Sequence, residues 1–196
     1  GDVAFGSASL LSADQLNLTA NDAELNTNVN GLVGTINGNL TLTETNGLTL
    51  GAENLTVNGN ANISVSAGDL NGTGVLSATG NSVVLDVAGS IDLGSNTTEQ
   101  VVAENLTASA GGSITMNVNV GHLAANAAAG DLVITETDGF NVSADLGEGG
   151  IFAAGNSLSL TSGGDIAGDG DITANDVTLV ADAIDLSDVD QLIEAT

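Results

Sequence analysis

The sequence contains no lysine, arginine, cysteine, proline, tryptophan or tyrosine, and only one histidine and three phenylalanines. Because it has no lysine or arginine, it cannot form the basic surface that binds nucleic acids or anionic membranes, so we expect neither as a ligand. Without cysteine, it can form no disulfide, thiolate nucleophile or zinc–thiolate site. No apolar run approaches the ~18 residues of a transmembrane helix, which predicts no direct insertion into a membrane.

Acidic and apolar residues are abundant instead. The 196 residues include 25 Asp and Glu, for a formal net charge of −25, and 42% of them are hydrophobic. The length suits a single domain, and the positive mean hydropathy of +0.27 favours a packed core over acidic disorder. The first residues lack the charged start of a signal peptide, so we expect a mature or excised segment if the protein is exported.

Glycine recurs in pairs nine residues apart, and this spacing is the strongest signal in the sequence. The first three pairs begin at Gly38, Gly59 and Gly80, which are evenly spaced, and an asparagine follows each of these glycines. Between the two glycines of each pair lies a short segment with alternating apolar residues, such as Leu40 and Leu42. The six pairs are Gly38–Gly47, Gly59–Gly68, Gly80–Gly89, Gly112–Gly121, Gly130–Gly139 and Gly155–Gly164.

This repetition of short strands predicts an all-β fold, a right-handed parallel β-helix (solenoid) of roughly seven to eight coils of about 20–25 residues. An antiparallel sandwich would need longer strands and regular hairpin turns, and a disordered chain would not keep its apolar positions in register. We expect a single domain over residues 1–196. It would have an irregular N-terminal coil at 1–37, regular coils at 38–180, and a C-terminal coil or cap at 181–196.

In such a solenoid, equivalent positions of successive coils stack about 4.8 Å apart. The inward positions are then Leu, Ile and Val, and the turns need positive φ, which glycine and asparagine supply. Stacked asparagine side chains are expected to hydrogen-bond along the axis. Extra residues predict two outward loops, at Ser95 to Gln100 and at Asp145 to Gly150.

Several repeats resemble the shaft repeats of bacterial filamentous-haemagglutinin-type surface proteins. The resemblance covers about residues 14–190 and is carried by three low-complexity stretches, which are Gly38 to Leu50, Gly130 to Phe140 and Gly155 to Ile166. It implies a secreted, very long β-helical fibre that is used in adhesion or cell contact. The N-terminal secretion domain of that family and a receptor-binding module are not visible in this sequence, so the adhesive activity is not carried over.

The segment 165–176 resembles a calcium loop of the dockerin or EF-hand type, with acidic residues at loop positions 1, 5, 7 and 12 and glycine at position 6. The candidate calcium ligands are therefore Asp165, Asp169, Asp171 and Asp176. An alanine stands at position 3, where the motif has a ligand, and the segment also fits the coil pattern. We favour an ordinary coil with solvated carboxylates, and we expect no cofactor other than calcium at these four residues.

Other polar residues carry weaker signals of chemistry. Glu44 and Glu136 occupy matching Thr-Glu-Thr segments, which we interpret as outward positions of equivalent strands rather than as a carboxylate pair for glycoside hydrolysis. His122 follows a turn glycine without another His or Cys nearby, which is typical of a solvated turn residue. Thr-x-Thr pairs, as at Thr41 and Thr43, occur on too few coils for an ice-binding array. We expect no enzymatic activity.

These features together favour a structural function. We expect the shaft or protomer of an extracellular filament on a bacterial surface or in a biofilm matrix, with further copies or a continuation of the same fibre as its partner. An open β-helix end presents unpaired backbone groups, on which another coil can dock. The alternative is an adhesin module whose two outward loops bind cell-surface glycans or calcium.

Overall fold

The computed structural model describes residues 1–5, 9–94 and 98–186, together with a backbone strand at 193–195. These parts of the chain form strands and turns without any helix. The strands are β1 (Val3–Ala4), β2 (Leu11–Ala20), β3 (Ala23–Ile36), β4 (Leu40–Glu44), β5 (Leu48–Val57), β6 (Ala61–Val65), β7 (Leu70–Gly72), β8 (Leu76–Val87), β9 (Ile91–Leu93), β10 (Val101–Ala110), β11 (Ile114–Ala127), β12 (Leu132–Glu136), β13 (Gly139–Val142), β14 (Gly150–Ser162), β15 (Asp165–Gly168), β16 (Asp171–Val180), β17 (Ile184–Asp185) and β18 (Ile193–Ala195).

The strands wind into a β-solenoid of about 8 turns, in which all the described strand pairs are parallel. This confirms the predicted fold class, whereas the right-handed sense of the coil and the division of the chain at residues 37 and 180 stay predictions. Each turn contributes strand segments to three sides. Side A contains the ladder Leu40–Ala61–Val83–Leu106, side B contains Leu48–Leu70–Ile91–Ile114, and side C contains Leu55–Leu76–Val101–Val118. In the later turns, β13, β15 and β17 lie where side C passes into side A, since Val142 of β13 pairs with Leu123, which follows Leu106 on the side A ladder.

Stacked aliphatic side chains fill the interior of the solenoid. Leu40, Ile63 and Leu85 are almost completely buried, and their neighbours in the chain point outward, as the alternation predicts. Full burial of a side chain of this size contributes about 1.5–3 kcal/mol relative to exposure. Because the ladder repeats on every turn, one continuous apolar core runs through the described residues from Leu18 to Ala174.

The corner between sides C and A is fixed by side-chain oxygens that accept a backbone N–H from the following turn. Asp22 accepts the N–H of Asn39 at 2.7 Å, Asn39 accepts that of Asn60 at 3.0 Å, and Asn60 accepts that of Ser82 at 3.0 Å. The predicted hydrogen bonding of asparagine along the axis is therefore confirmed. The predicted positive φ of asparagine is wrong, since only glycines have positive φ in the described parts of the chain.

Two of the repeated glycines show the separate reasons for this residue. Gly80 has a φ of 72°, a left-handed conformation that side chains disfavour. Gly164 lies so close to the preceding turn that a Cβ atom would overlap the carbonyl oxygen of Asp138. The glycine repeat therefore reflects both backbone conformation and close contact between turns.

Turn length varies more widely than predicted. Ala23 pairs with Leu40 on the next turn, whereas Val142 pairs with Gly168, so the second of these turns contains many more residues than the first. The longer turns contain the outward loop predicted at 145–150, which the structure places at residues 143–149 between β13 and β14; Gly150 itself is buried in β14.

The other predicted loop, Ser95 to Gln100, includes residues 95–97, which lie outside the described residues. The prediction is wrong at its C-terminal end because the Gln100 side chain is completely buried. Its Nε2 atom donates a hydrogen bond of 2.8 Å to the carbonyl oxygen of Gly72, one turn earlier. None of the described residues belongs to a helix that is long and apolar enough to cross a membrane.

Candidate functional site

The four candidate calcium ligands lie along two strands and the turn between them. Asp165 begins β15, Asp169 follows β15, and Asp171 and Asp176 belong to β16. The segment 165–176 therefore forms a strand, a turn and a second strand, as expected for the ordinary coil that the sequence favours. Within the described residues, no three or more His, Asp or Glu side chains are grouped closely enough to hold a metal ion. Calcium binding by this chain stays a prediction.

One of these carboxylates has a structural contact. Oδ1 of Asp169 accepts a hydrogen bond of 3.0 Å from the backbone N–H of Ala144, in the loop 143–149 of the preceding turn. Like the corner bond between Asp22 and Asn39, it joins adjacent turns through a side-chain oxygen, but here the acceptor belongs to the later turn. Asp169 therefore holds the start of the long loop.

Glu44 lies inside the solenoid, so its predicted outward position is wrong. It follows Leu40 and Leu42 at the same parity of strand β4, and its side chain is completely buried. Oε2 accepts the hydroxyl of Thr27 at 2.6 Å and the N–H of Val29 at 3.0 Å, both on the preceding turn. Oε1 accepts the N–H groups of Thr45 and Asn46 at 2.7 and 3.1 Å. The carboxylate thereby satisfies donors in two successive turns.

Glu136 is buried in a similar way, which corrects its predicted position too. Oε2 accepts the N–H groups of Asp138, at 2.9 Å, and of Gly139, and it lies 3.3 Å from the hydroxyl of Ser162 on the following turn. Oε1 accepts the N–H of Val120 at 3.4 Å. Burial raises the pKa of the Glu136 carboxyl, and the three backbone N–H groups partly offset this rise.

The two glutamates are not on equivalent strands. Glu44 pairs with Thr27 and Val65 on the ladder of side A, whereas Glu136 pairs with Val118 and Ser162, where side B passes into side C. In both Thr-Glu-Thr segments, the glutamate lies at the end of a strand and accepts hydrogen bonds from the N–H groups of the residues that follow it. The burial of each carboxylate among backbone donors of the core is typical of a structural role.

His122 lies within strand β11 rather than in a turn, which corrects the prediction for this residue. It pairs with Asn105 on the preceding turn and Asn141 on the following turn, and it is partly buried. The imidazole lines a surface depression together with Ser143, Asp145 and other polar residues. The ladder thus places the single histidine beside the long loop.

Three depressions follow one another along side C and its corner with side A, and we call them together the side trough. The first and second share Asp138 and Gly139, and the second and third share Asn141. The side trough crosses five successive turns, which corresponds to about 19 Å at the usual strand spacing. Its polar lining residues are Thr79, Glu104, Asn119, Asp138, Asn141, Asp165, His122, Ser143, Asp145 and Asp169.

The side trough is strongly acidic and open to solvent. Its acidic residues, which are Glu104, Asp138, Asp145, Asp165 and Asp169, are all exposed. Ser143 also lines the third depression, but it differs from them because it is only 8% exposed. The sequence did not predict this surface because its residues belong to five successive turns and are separated by many residues in the chain.

Some inward positions of the first and last described turns are partly exposed, and we call these two apolar areas the end surfaces. Leu16 is half-buried although its ladder neighbour Leu32 is fully buried. At the opposite end, the Ile184 side chain is 49% exposed, whereas its neighbour Ile166 is 0% exposed. These ends therefore expose core positions that a further turn would cover.

Comparison with known proteins identifies no relative. No family model, no curated protein and no solved structure matches the chain.

Proposed function

We propose that this chain is the shaft, or one protomer, of an extracellular bacterial filament in which solenoids continue end to end, by stacking or covalently. The observation that supports this function is the continuity of the core with both apolar end surfaces. The ladder of side B ends among the described residues with Val177 and Leu179 half-buried, although Leu158 and Leu160 one turn earlier are completely buried. A further turn in the same register would bury these side chains.

Backbone groups at the ends favour the same occupant. In the described parts of the chain, β2 pairs only with β3, and β17 pairs only with β15. The edge of β2 opposite to β3 pairs with no described strand, and its N–H and C=O groups form a template for another parallel strand. A second solenoid end supplies such a strand together with apolar inward side chains.

Charge favours axial contact over lateral contact. The net charge of −25 contains no Lys or Arg contribution, so the sides of two rods repel each other. The end surfaces are apolar at their centres, and a contact there buries hydrophobic side chains instead of carboxylates. Added salt would weaken this lateral repulsion, because exposed charges more than about 10 Å apart are largely screened at 0.1 M ionic strength. The function proposed here is mechanical and includes no catalytic step.

The experiment compares Ile184→Asp with Val133→Asp, since both substitutions add one carboxylate at an exposed aliphatic residue. Ile184 lies on an end surface, and Val133 lies outward on side B in the middle of the rod. We expect electron microscopy and sedimentation at micromolar concentrations to show rods that lengthen with concentration for the unsubstituted chain and Val133→Asp. Ile184→Asp should give short particles. Short particles of equal length for all three proteins would refute end-to-end stacking of this chain.

A second candidate function is an adhesin module that binds a cell-surface glycan or calcium. The loop 143–149 between β13 and β14, in which Ala144, Asp145 and Gly147 are exposed, favours this function. Replacement of residues 144–149 by a short glycine-serine turn should abolish attachment to cells while the circular dichroism spectrum of the solenoid is kept. Undiminished attachment by this variant would leave the loop without an adhesive role.

A further inference from the structure

We propose that copies of this chain stack head to tail in one fixed register, in which Leu179 of one copy packs on Leu16 of the next. Head to tail means that the last described turn of one copy meets the first described turn of its neighbour. The proposal rests on the filament function proposed above, and it adds the polarity and the register of the end-to-end contact. A contact between two different ends does not close, so the resulting filament has a direction and can grow from its free ends.

One ladder of outward positions on side B gives the register of a further turn. It can be followed from turn to turn through the printed chain from Gln15 to Thr178, because each member pairs with the member before it. Its members are Gln15, Gly31, Thr49, Asn71, Asp92, Thr115, Val133, Ser159 and Thr178. When the first turn of another copy continues this ladder, its Gln15 lies beside Thr178, at the usual strand spacing of about 4.8 Å.

The adjacent inward positions begin and end with half-buried leucines. Leu16 pairs with Leu32 in the first described turns, and Leu179 pairs with Leu160 in the last. Leu32 and Leu160 are completely buried, whereas Leu16 and Leu179 are half-buried. In the proposed register these two leucines cover each other. The contact therefore continues the interface between successive turns that the rod already contains, and a second copy supplies the matching surface.

Hydrogen bonds at the corner between sides A and B favour the same polarity. Oδ1 of Asp69 accepts the N–H of Ser90, on the following turn, at 2.7 Å. Oδ1 of Asp131 likewise accepts the N–H of Ser157 at 3.0 Å. Asp176 continues this ladder, since it pairs with Ser157, and it is exposed. Its carboxylate can accept an N–H group from the turn that follows it in a head-to-tail stack.

A head-to-head contact would not continue these ladders. The chains of two copies that face each other with the same end wind in opposite senses, so their facing strands run antiparallel. All the described strand pairs of this chain are parallel. A contact of this kind also joins like ends and closes on itself. The two arrangements therefore bring different residues together, which makes them distinguishable by cross-linking.

The test uses cysteine, which the chain lacks, so that each introduced thiol is unique. One protein carries Gln15→Cys and another carries Thr178→Cys, both at exposed positions. Equivalent positions of adjacent turns lie about 4.8 Å apart, within the Cα separation of roughly 4.4–6.8 Å that a disulfide requires. The matched control replaces Thr178→Cys with Val133→Cys, an exposed member of the same ladder in the middle of the rod. The proteins are oxidised mildly at micromolar concentration, and disulfide-linked dimers are measured by non-reducing electrophoresis.

We expect the mixture of Gln15→Cys and Thr178→Cys to give about tenfold more linked dimer than either protein alone or the control mixture, since only this pair lies within disulfide distance. Equal linking of Gln15→Cys with itself would indicate head-to-head contact and overturn the polarity. Replacing Gln15→Cys by Asn17→Cys, an exposed position further along β2, should lower the yield, and an equal yield would overturn the register. Long rods in electron microscopy without linkage in the mixture would overturn this inference and leave the filament function standing. Short particles of the unsubstituted chain would refute end-to-end stacking itself.

Discussion

The surroundings of Glu44 and Glu136 differ in how the donors are divided between the two carboxylate oxygens. Each oxygen of Glu44 accepts two hydrogen bonds, and the longest of the four is 3.1 Å. At Glu136, Oε2 accepts three of the four bonds, and Oε1 accepts only the Val120 N–H, at 3.4 Å. The same Thr-Glu-Thr segment therefore gives one site that needs both oxygens and one that mainly needs one.

The largest expected effect follows from changing Glu44 to its amide. In Glu44→Gln, the NH₂ group must face either the Thr45 and Asn46 N–H groups or the Val29 N–H and Thr27 hydroxyl. Each orientation sets donor against donor in a completely buried site. We expect the free energy of unfolding to fall by about 3 kcal/mol, measured by urea denaturation at pH 7. A loss below about 1 kcal/mol would contradict this account of the site.

Glu136→Gln should cost less and so sharpen the comparison. The amide oxygen can take the place of Oε2 and keep three bonds, while the NH₂ group meets only the distant Val120 N–H. We expect a loss of about 1 kcal/mol in the free energy of unfolding, by the same urea measurement. If Glu136→Gln proved as destabilising as Glu44→Gln, the division of donors between the oxygens would not be the controlling difference.

An exposed acceptor shows how much burial adds to this kind of bond. Asn60 accepts the Ser82 N–H at 3.0 Å on a solvent-exposed corner. Water can replace a lost acceptor there, so Asn60→Ala should lower the free energy of unfolding by only about 0.5–1 kcal/mol. Asn62→Ala is the matched control, since Asn62 points outward from side A two residues away. Equal losses in the two variants would assign the effect to strand propensity instead of the corner bond.

The smallest expected effect concerns pH, because the raised pKa of Glu136 means that the folded protein binds this proton more tightly than the unfolded chain. Its contribution to stability is therefore complete below the ordinary value of 4.5 and is lost as pH rises through the folded pKa. Relative to Glu136→Gln, the unsubstituted chain should gain stability between pH 7 and pH 5 in paired urea titrations. The titration of the carboxylates that both proteins contain cancels when their free energies of unfolding are subtracted. A constant difference across this range would contradict the direction of the shift.

The core of the fold could be predicted from the sequence because alternation is a local property. Leu40, Leu42 and Glu44 share one parity, and so do Leu132, Ile134 and Glu136. The alternation alone therefore places both glutamates inside, and the predicted outward position is wrong because strand parity, and not the charge of the side chain, decides the position. A carboxylate with four donors can occupy such a position.

The side trough could not be predicted in the same way. Glu104 and Asp138 are distant in the sequence and line the same depression because turns of different length lie between them. A constant period, such as that of the first three glycine pairs, would pair other residues across this surface. The register between distant turns depends on where the extra residues of each turn are inserted. In the irregular turns, the spacing of glycine and asparagine does not indicate the position of these insertions.

The unequal turns affect how the length of the rod depends on the number of residues in the chain. Ala125 pairs with Ile151 on side A although the loop 143–149 lies between them, so the added residues leave the axial step of about 4.8 Å unchanged. The length of the rod thus counts turns and not residues. Residues inserted in a loop would change the mass and the surface area of a filament per unit length, and they would leave the length of the filament unchanged.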